Sequence, residues 1–257
     1  MNEIKLSKRL SAAAAMVRDG ASFPKGASKQ GISTTPRASE DNSREICGLG
    51  VRFADIGTDH AYLPIFLLQK GKIECAYASD INRGPIENAN ENLKKYGLED
   101  RVVTRVANGL DGIESFQPTD IAICGMGGEL IIKILEGAPY VRQNHVRLIL
   151  QPMTHVELVR EYLQNGFYTI AENVVCEDGK IYQVLCLQYD GDFHPLTREE
   201  LELGKLNIEN GGEEFRKLLF STIAKHQKKV DGIRLGGGDT AELEEYIEKL
   251  RGLYENL

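Results

Sequence analysis

The feature that most limits the fold is the texture of residues 51–188, where short apolar runs alternate with segments of helical periodicity. Five runs read as strands: 51–56, 74–79, 102–106, 120–124 and 146–150. Between them, 61–69, 85–96, the stretch after 125–128 through 135, and 154–164 read as helices. Pro85 sits near the first turn of its helix and Gly97 just past its end, the usual asymmetry. Thr154 and Glu157 have the spacing of a capping box. The strand runs lack polar alternation, which suits burial on both faces, and strand–helix–strand order makes such a sheet parallel. Residues 168–176 and 181–188 instead alternate around Asp178-Gly179, a strong hairpin signal. The expectation is a doubly wound, Rossmann-like α/β sheet ending in an antiparallel hairpin.

The flanks read differently. Residues 3–18 suit a short helix, with Ile4, Leu6, Leu10 and Ala14 on one face. Residues 19–50 are rich in Gly, Ser, Pro and Lys and poor in large apolar residues, as in a flexible insertion. Past Pro195, helix formers dominate. Thr197 and Glu200 form a second capping box, and the glycines of 210–212 and 236–238 divide the tail into about three helices. Phe215, Leu218, Leu219, Thr222 and Ile223 make an apolar stripe of coiled-coil character. The expected division is a ligand-binding domain over 1–194 and a small helical domain over 195–257.

Charge and cysteine usage narrow the function classes. The net charge of −7 disfavours a wholly basic nucleic-acid binder. Residues 1–50 nevertheless carry eight Lys/Arg against five Asp/Glu, and Lys225, Lys228, Lys229 and Arg234 cluster in the acidic tail. The five cysteines are odd in number, widely spaced and without a CxxC pair, so neither a disulfide framework nor a zinc site is expected. Cys75, Cys176 and Cys186 fall in apolar runs and read as small buried hydrophobes. No run reaches the length of a membrane span. A cytoplasmic protein with no metal is expected, and a monomer is plausible.

Asp55-Ile56-Gly57 follows a strand and precedes a helix, where ligands bind in open α/β sheets. Gly57 lets the backbone approach a ligand. Asp80 ends the next strand, where a carboxylate suits the two hydroxyls of a ribose, with Ile81 and Asn82 following. The glycine signature of a dinucleotide site is absent. Thr58, Asp59 and His60 stand there instead, and Asp59 repels a pyrophosphate but suits a sulfonium or amino group. Hence S-adenosyl-L-methionine is favoured over NAD. Asn108-Gly109 follows the third strand, where an amide can meet adenine. Gly125-Met126-Gly127-Gly128 follows the fourth, beside the point of transfer. Each motif also has a plain reading as a turn. His60 equally suits a helix cap, and Tyr62 suits stacking at the same helix start. Gln151, after the fifth strand, suits a nucleobase edge or nothing.

Taken together, Asp55 to Pro64, Ala107 to Leu110, Gly125 to Gly128 and Leu148 to Pro152 resemble the TrmK family of bacterial tRNA adenine-N1 methyltransferases, as does Leu6-Ser7-Lys8-Arg9-Leu10. The resemblance spans nearly the whole chain, and the decapeptide from Asp55 is its specific part. It implies a class I methyltransferase sheet, a helical tail that helps hold tRNA, and transfer of a methyl group to N1 of adenine 22. It implies a cofactor site of Asp55, Gly57, Thr58, Asp59, His60, Asp80, Ile81, Asn82, Asn108, Gly109, Gly125 and Met126. Asp59, Arg9 and Met126 are expected at the point of transfer. Arg9, Tyr62, Gly127, Gly128, Gln151 and Pro152 are expected to meet the RNA. The chain departs from the family at 19–50, at Met153, where the family tends to Asn, and at Cys124, where it usually has Ala.

Adenine N1 already carries an in-plane lone pair, so attack on the methyl group needs no prior deprotonation. Placement and stabilisation of a cationic product ring are the expected tasks, with Asp59 suited to the second. Flipping of the target nucleotide is expected. Two other readings remain: a methyltransferase acting on protein or small molecules, and a non-catalytic cofactor-binding protein.

Overall fold

The fold is that of a computed structural model whose described residues are 3–20 and 50–255; the expected insertion lies, but for its ends, outside them. β1 (Arg52–Ile56), β2 (Cys75–Asp80), β3 (Val102–Val106), β4 (Asp120–Gly127) and β5 (Arg147–Thr154) run parallel. The hairpin of β6 (Asn165–Glu177) and β7 (Lys180–Phe193) adds two antiparallel strands. The sheet order is β3-β2-β1-β4-β5-β7-β6. The winding reverses between β1 and β4, which opens a crevice at their carboxyl ends.

The crossovers carry α2 (Tyr62–Gln69), α3 (Arg83–Tyr96), α4 (Gly128–Glu136) and α5 (Val156–Leu163). Alternate residues of β1 feed opposite cores. Phe53 packs with Ile65 and Ile149 on one face, and Ala54 and Ile56 pack with Ile121 and Leu148 on the other. A strand buried on both faces has no room for polar alternation, which explains its continuous apolar run.

α1 (Lys8–Met16) lies on the first face with Ala12, Ala13 and Ala14 buried. Ser7 caps it, so the helix begins five residues later than its apolar pattern suggests. Its carboxyl end is fastened by cations, as the helix dipole favours. Lys72 Nζ donates to Ala14 O at 2.8 Å, and Arg147 Nη1 to Met16 O at 3.1 Å. Just beyond, Arg18 pairs with Asp120, Nε to Oδ1 at 3.1 Å, and its backbone N–H donates to Asp120 Oδ2 at 2.8 Å.

Three expectations fail for local reasons. β4 and β5 continue past their expected ends, with register shifts around Met126, so Gly125, Met126 and Gly127 belong to a bulged strand. Thr154 pairs opposite Gly127 in that extension, and α5 starts after His155 in a left-handed conformation with no side-chain cap. The first capping box therefore does not form. Cys75, read as a small hydrophobe outside any disulfide framework, is buried but disulfide-bonded, whereas Cys124, Cys176 and Cys186 are free. A single bond leaves no mark in spacing.

The second capping box forms, with Thr197 and Glu200 bonding each other's backbone. Among the described residues the tail has four helices rather than about three: α6 (Arg198–Leu203), α7 (Lys205–Asn210), α8 (Glu213–Leu235) and α9 (Ala241–Glu255). The extra break is Gly204, whose φ of 90° a larger residue resists. α8 and α9 share a separate core of Phe215, Leu219, Val230, Tyr246, Ile247 and Leu250.

Candidate active site

Three strand ends meet at the crevice. The N–H groups of Gly57 and Thr58 donate to Ser79 O at 2.8 and 2.9 Å, and Ala107 N donates to Asp80 O at 3.0 Å. The turns after β1, β2 and β3 are thereby tied into one rim. A cleft of about 480 Å³ opens at the β1 end. Its walls bring together Arg9, Asp55, Gly57, Thr58, Asp59, His60, Tyr62 and Gly125. Lys5, Leu6, Ser7, Leu10 and Cys124 also line it. The sequence reading did not assign these five to the site, although Leu6, Ser7 and Leu10 flank Arg9 in a quoted motif.

Asp55 is the buried centre of the cleft. Desolvation pushes its carboxyl up to about 6, against a hydrogen bond from Thr58 that favours the charged form. The Thr58 hydroxyl also accepts from Ala61 N at 3.2 Å, which fixes the turn. Gly57 has φ 78°, and a Cβ there would stand 2.1 Å from Met126 Cε. Met126 thus folds over the turn from the neighbouring strand. Cys124 beside it has its thiol pushed up to about 12 by burial, so it is inert as a nucleophile.

The mouth is aromatic and acidic. His60 stacks on Tyr62 with centroids 4.9 Å apart, and its Nε2 lies 3.2 Å from the exposed Asp59 carboxylate. Opposite them stands Arg9. Gln151 Oε1 accepts from Arg9 Nη1 at 2.9 Å, Glu177 lies 4.0 Å from Arg9 Nε, and the guanidinium is 5.9 Å from the Tyr182 ring centre. Gly125 faces the same guanidinium, 3.3 Å from where its Cβ would be.

The remaining expected residues lie along the rim outside this cleft. Asp80 Oδ1 accepts from Asn82 N at 2.7 Å, so the carboxylate shapes its own loop and keeps Oδ2 for a further donor. Ile81 and Asn82 are exposed beside it, and Asn108 is exposed after β3. Gly109 approaches Ile134, within 3.0 Å of its Cγ1 for a Cβ.

Three residues expected to meet RNA are buried. Gly128 is buried, and a Cβ there would lie 2.5 Å from His155 O, so the packing of two protein turns accounts for it. Gln151 and Pro152 are buried too. The Gln151 amide is occupied by Arg9 and by Pro152 O at 2.9 Å, which makes it a support for Arg9. Gly127 is half-buried against Thr154. Among the described residues, no group of three His, Cys, Asp or Glu side chains is arranged to hold a metal ion.

A family model, TrmK: tRNA (adenine(22)-N(1))-methyltransferase, matches residues 53–252. The chain belongs to this family. The tRNA (adenine(22)-N(1))-methyltransferase of Bacillus subtilis (strain 168) is 35% identical over 199 residues, 74% of this chain and 71% of the relative. A Streptococcus pneumoniae protein solved with S-adenosyl-L-methionine superposes with a TM-score of 0.75 at 28% identity, over 97% of this chain and 100% of that one. TrmK of M. capricolum, solved with S-adenosyl-homocysteine, gives 0.72 at 25% identity, over 97% and 98% of the two chains. The TrmK match takes in both the sheet and most of the helical tail, so both parts of the chain are family property.

Proposed function

We propose that this chain transfers the methyl group of S-adenosyl-L-methionine to N1 of adenine 22 in tRNA, in the cleft between β1 and β4. The observation that carries the reading is the desolvated Asp55–Gly57 turn at the switch point of a TrmK sheet. Its residues fit the cofactor. A buried carboxylate is costly at neutral pH unless a cation stands near it, and the cofactor carries a sulfonium and an amino group. A backbone cradle without Cβ at Gly57 admits close approach, and Asp80 Oδ2 suits a ribose hydroxyl. The cofactor would supply an electrophilic methyl group there.

The protein's own tasks are placement and charge. Tyr62, exposed at the mouth and backed by His60, offers a ring face to the target base. Asp59 faces the space where the ring becomes cationic, and its exposed carboxylate stabilises that charge without taking a proton. Arg9 acts as an orienting donor, held still by Gln151. Met126 closes the cofactor turn.

We further divide the chain into a methyltransferase domain over 1–194 and a helical domain over 195–257 that contributes to holding tRNA, and place the protein in the cytoplasm with its substrate. Among the described residues, no helix is long and apolar enough to cross a membrane. The test is nucleoside mass spectrometry of a tRNA transcript incubated with protein and labelled donor. One N1-methyladenosine is expected per transcript, lost when adenine 22 is replaced by guanine. Turnover on protein or small molecules with no mark on tRNA sinks the proposal.

A further inference from the structure

The turn of the β6–β7 hairpin stands at the amino-terminal end of α1. That turn is Asp178-Gly179, with φ of 49° and 72°, the pair of left-handed residues that a tight hairpin turn requires. Pairing runs right up to it, with Glu177 opposite Lys180 and Val175 opposite Tyr182. Side chains alternate along a strand, so Val175, Glu177 and Tyr182 share one face. Val175 packs in the same core as Ala12 and Ala13 of α1, which makes this the face that carries the helix.

The hairpin grips α1 where the helix begins. Lys8 is the first helical residue, so its backbone N–H has no partner within the helix. Glu177 Oε1 accepts that N–H, which sets a carboxylate at the positive end of the helix dipole. Lys8 Nζ in turn donates to Cys176 O at 3.3 Å. With Oε1 engaged by Lys8, Glu177 Oε2 lies 4.0 Å from Arg9 Nε. The Glu177 side chain is 16% exposed, so water and salt screen this charge weakly. The Tyr182 ring centre stands 5.9 Å from the same guanidinium, and Gln151 takes Nη1 at 2.9 Å. Three strands thus bring a carboxylate, a ring face and an amide to one side chain. Each restricts a different motion of a planar cation. Nη2 is left without a partner among the described residues, on a side chain that lines the cleft. Immobilising an arginine costs rotamer entropy, and a donor that must meet a reacting nucleotide in one geometry repays that cost.

We propose that Glu177 and Tyr182 are positioning residues for methyl transfer: from the hairpin they fix Arg9, and with it the donor that meets the target nucleotide. Both act through Arg9. The inference rests on the tRNA reading above and adds the hairpin to the parts of the chain that govern the reacting base.

The test is a mutant cycle in full-length protein, read by single-turnover methylation of a tRNA transcript beside calorimetric cofactor binding. Glu177→Gln keeps an acceptor for the Lys8 N–H and removes the charge that faces Arg9. It is expected to lower the rate at saturating tRNA about tenfold while cofactor affinity stays within about twofold. Tyr182→Leu is expected to do the same, and Tyr182→Phe, which keeps the ring, to recover most of that loss. On an Arg9→Ala background both changes should add almost nothing, because the group they place is gone. A hairpin that merely stabilises the fold would add its loss on either background. The Arg9 Nε–H signal of cofactor-free protein gives a second readout. Its heteronuclear NOE is expected to be high in the wild type and much lower in Glu177→Gln and Tyr182→Leu. Additive losses on Arg9→Ala, unchanged rates in both single variants, or an NOE that does not respond overturn the inference. So does a parallel fall in cofactor affinity, which would assign the hairpin to the cofactor turn. Wild-type protein that leaves tRNA unmethylated instead overturns the functional reading itself, and the NOE then still reports whether the hairpin holds Arg9.

Discussion

Asp55 shows how the proposed cofactor site costs its own fold. Burial lifts its carboxyl from 3.8 to about 6, so the folded state holds this proton more tightly than the unfolded chain. By linkage, its favourable contribution is complete below the ordinary carboxylate range and is lost as pH rises through about 6. At neutral pH the ionised group opposes folding by an amount on the order of 3 kcal/mol. Asp55→Asn should therefore raise the melting temperature at pH 7.5 by about 5 °C, with the gain shrinking towards pH 5. The same variant should bind S-adenosyl-L-methionine at least tenfold more weakly, because a cation no longer finds its counter-charge. A lower melting temperature at both pH values would refute the desolvation account. Gly57 is bound by conformation instead. Gly57→Ala must hold φ 78° and displace Met126 Cε, so cofactor affinity should drop about tenfold in titration calorimetry while thermal stability falls by only about 1 kcal/mol. Both residues were legible, because a strand ending in Asp-x-Gly carries its geometry in the local sequence. Gln151 was not. Its type suits a base edge as well as a guanidinium, and only the fold brings Arg9 to it across 142 residues.

Elements were legible where their signal is periodic and failed where two chains compete for one residue. Thr154 has the spacing of a helix cap, yet pairing with Gly127 draws it into β5. The same extension turns the glycines of 125–128 from a loop into a bulge, which carries Met126 over Gly57. α1 was expected from its apolar stripe, but its task was not. Its alanines bring the backbone close to the sheet, while Lys72, Arg147 and the Arg18–Asp120 pair clamp its far end. A helix held flush and fixed at one end presents Arg9 at the other with little freedom. Ala13 is fully buried in that contact. Ala13→Leu should overpack it by about 1–3 kcal/mol and tilt the helix outward. The expected signature is a methylation kcat reduced about tenfold with cofactor affinity nearly unchanged, since Arg9 moves while the Asp55 turn does not. If kcat held while stability fell, α1 would be a scaffold only.

On the scale of the whole molecule, alternation of strand and helix was enough to specify the doubly wound sheet, because burial on both faces forces the apolar runs that the sequence displays. The joint between sheet and tail left no such trace, since a buried cation stands at its centre, beside a hydrogen bond from Gln183 to Glu202 O and the packing of Val174 on the tail core. Arg160 on α5 meets Glu172 on β6 at 2.7 Å, Gln183 on β7 at 2.7 Å and Leu201 O on α6 at 2.9 Å. Glu172 in turn accepts from Leu206 N at 2.9 Å, and Gly204 passes so close that a Cβ would strike both side chains. Read along the chain, Arg160 looks like one more surface charge on an amphipathic helix. In the fold it is the bolt between the proposed catalytic domain and the four tail helices. Removing one partner leaves the other charged in a dry site, which typically costs about 3–5 kcal/mol, whereas replacing both with apolar groups is often neutral. Arg160→Ala should therefore loosen the tail first. Limited trypsin digestion is expected to cut within 195–212 while cofactor binding persists, and tRNA methylation should fall as the tail loosens. Arg160→Met/Glu172→Met should recover most of the thermal stability. It should recover methylation only so far as apolar contact fixes the tail at the same angle, and that difference separates holding the tail on from holding it in register. Simultaneous loss of cofactor binding and tail protection in Arg160→Ala would mean that sheet and tail unfold as one unit, and the proposed boundary at 194 would have to be abandoned.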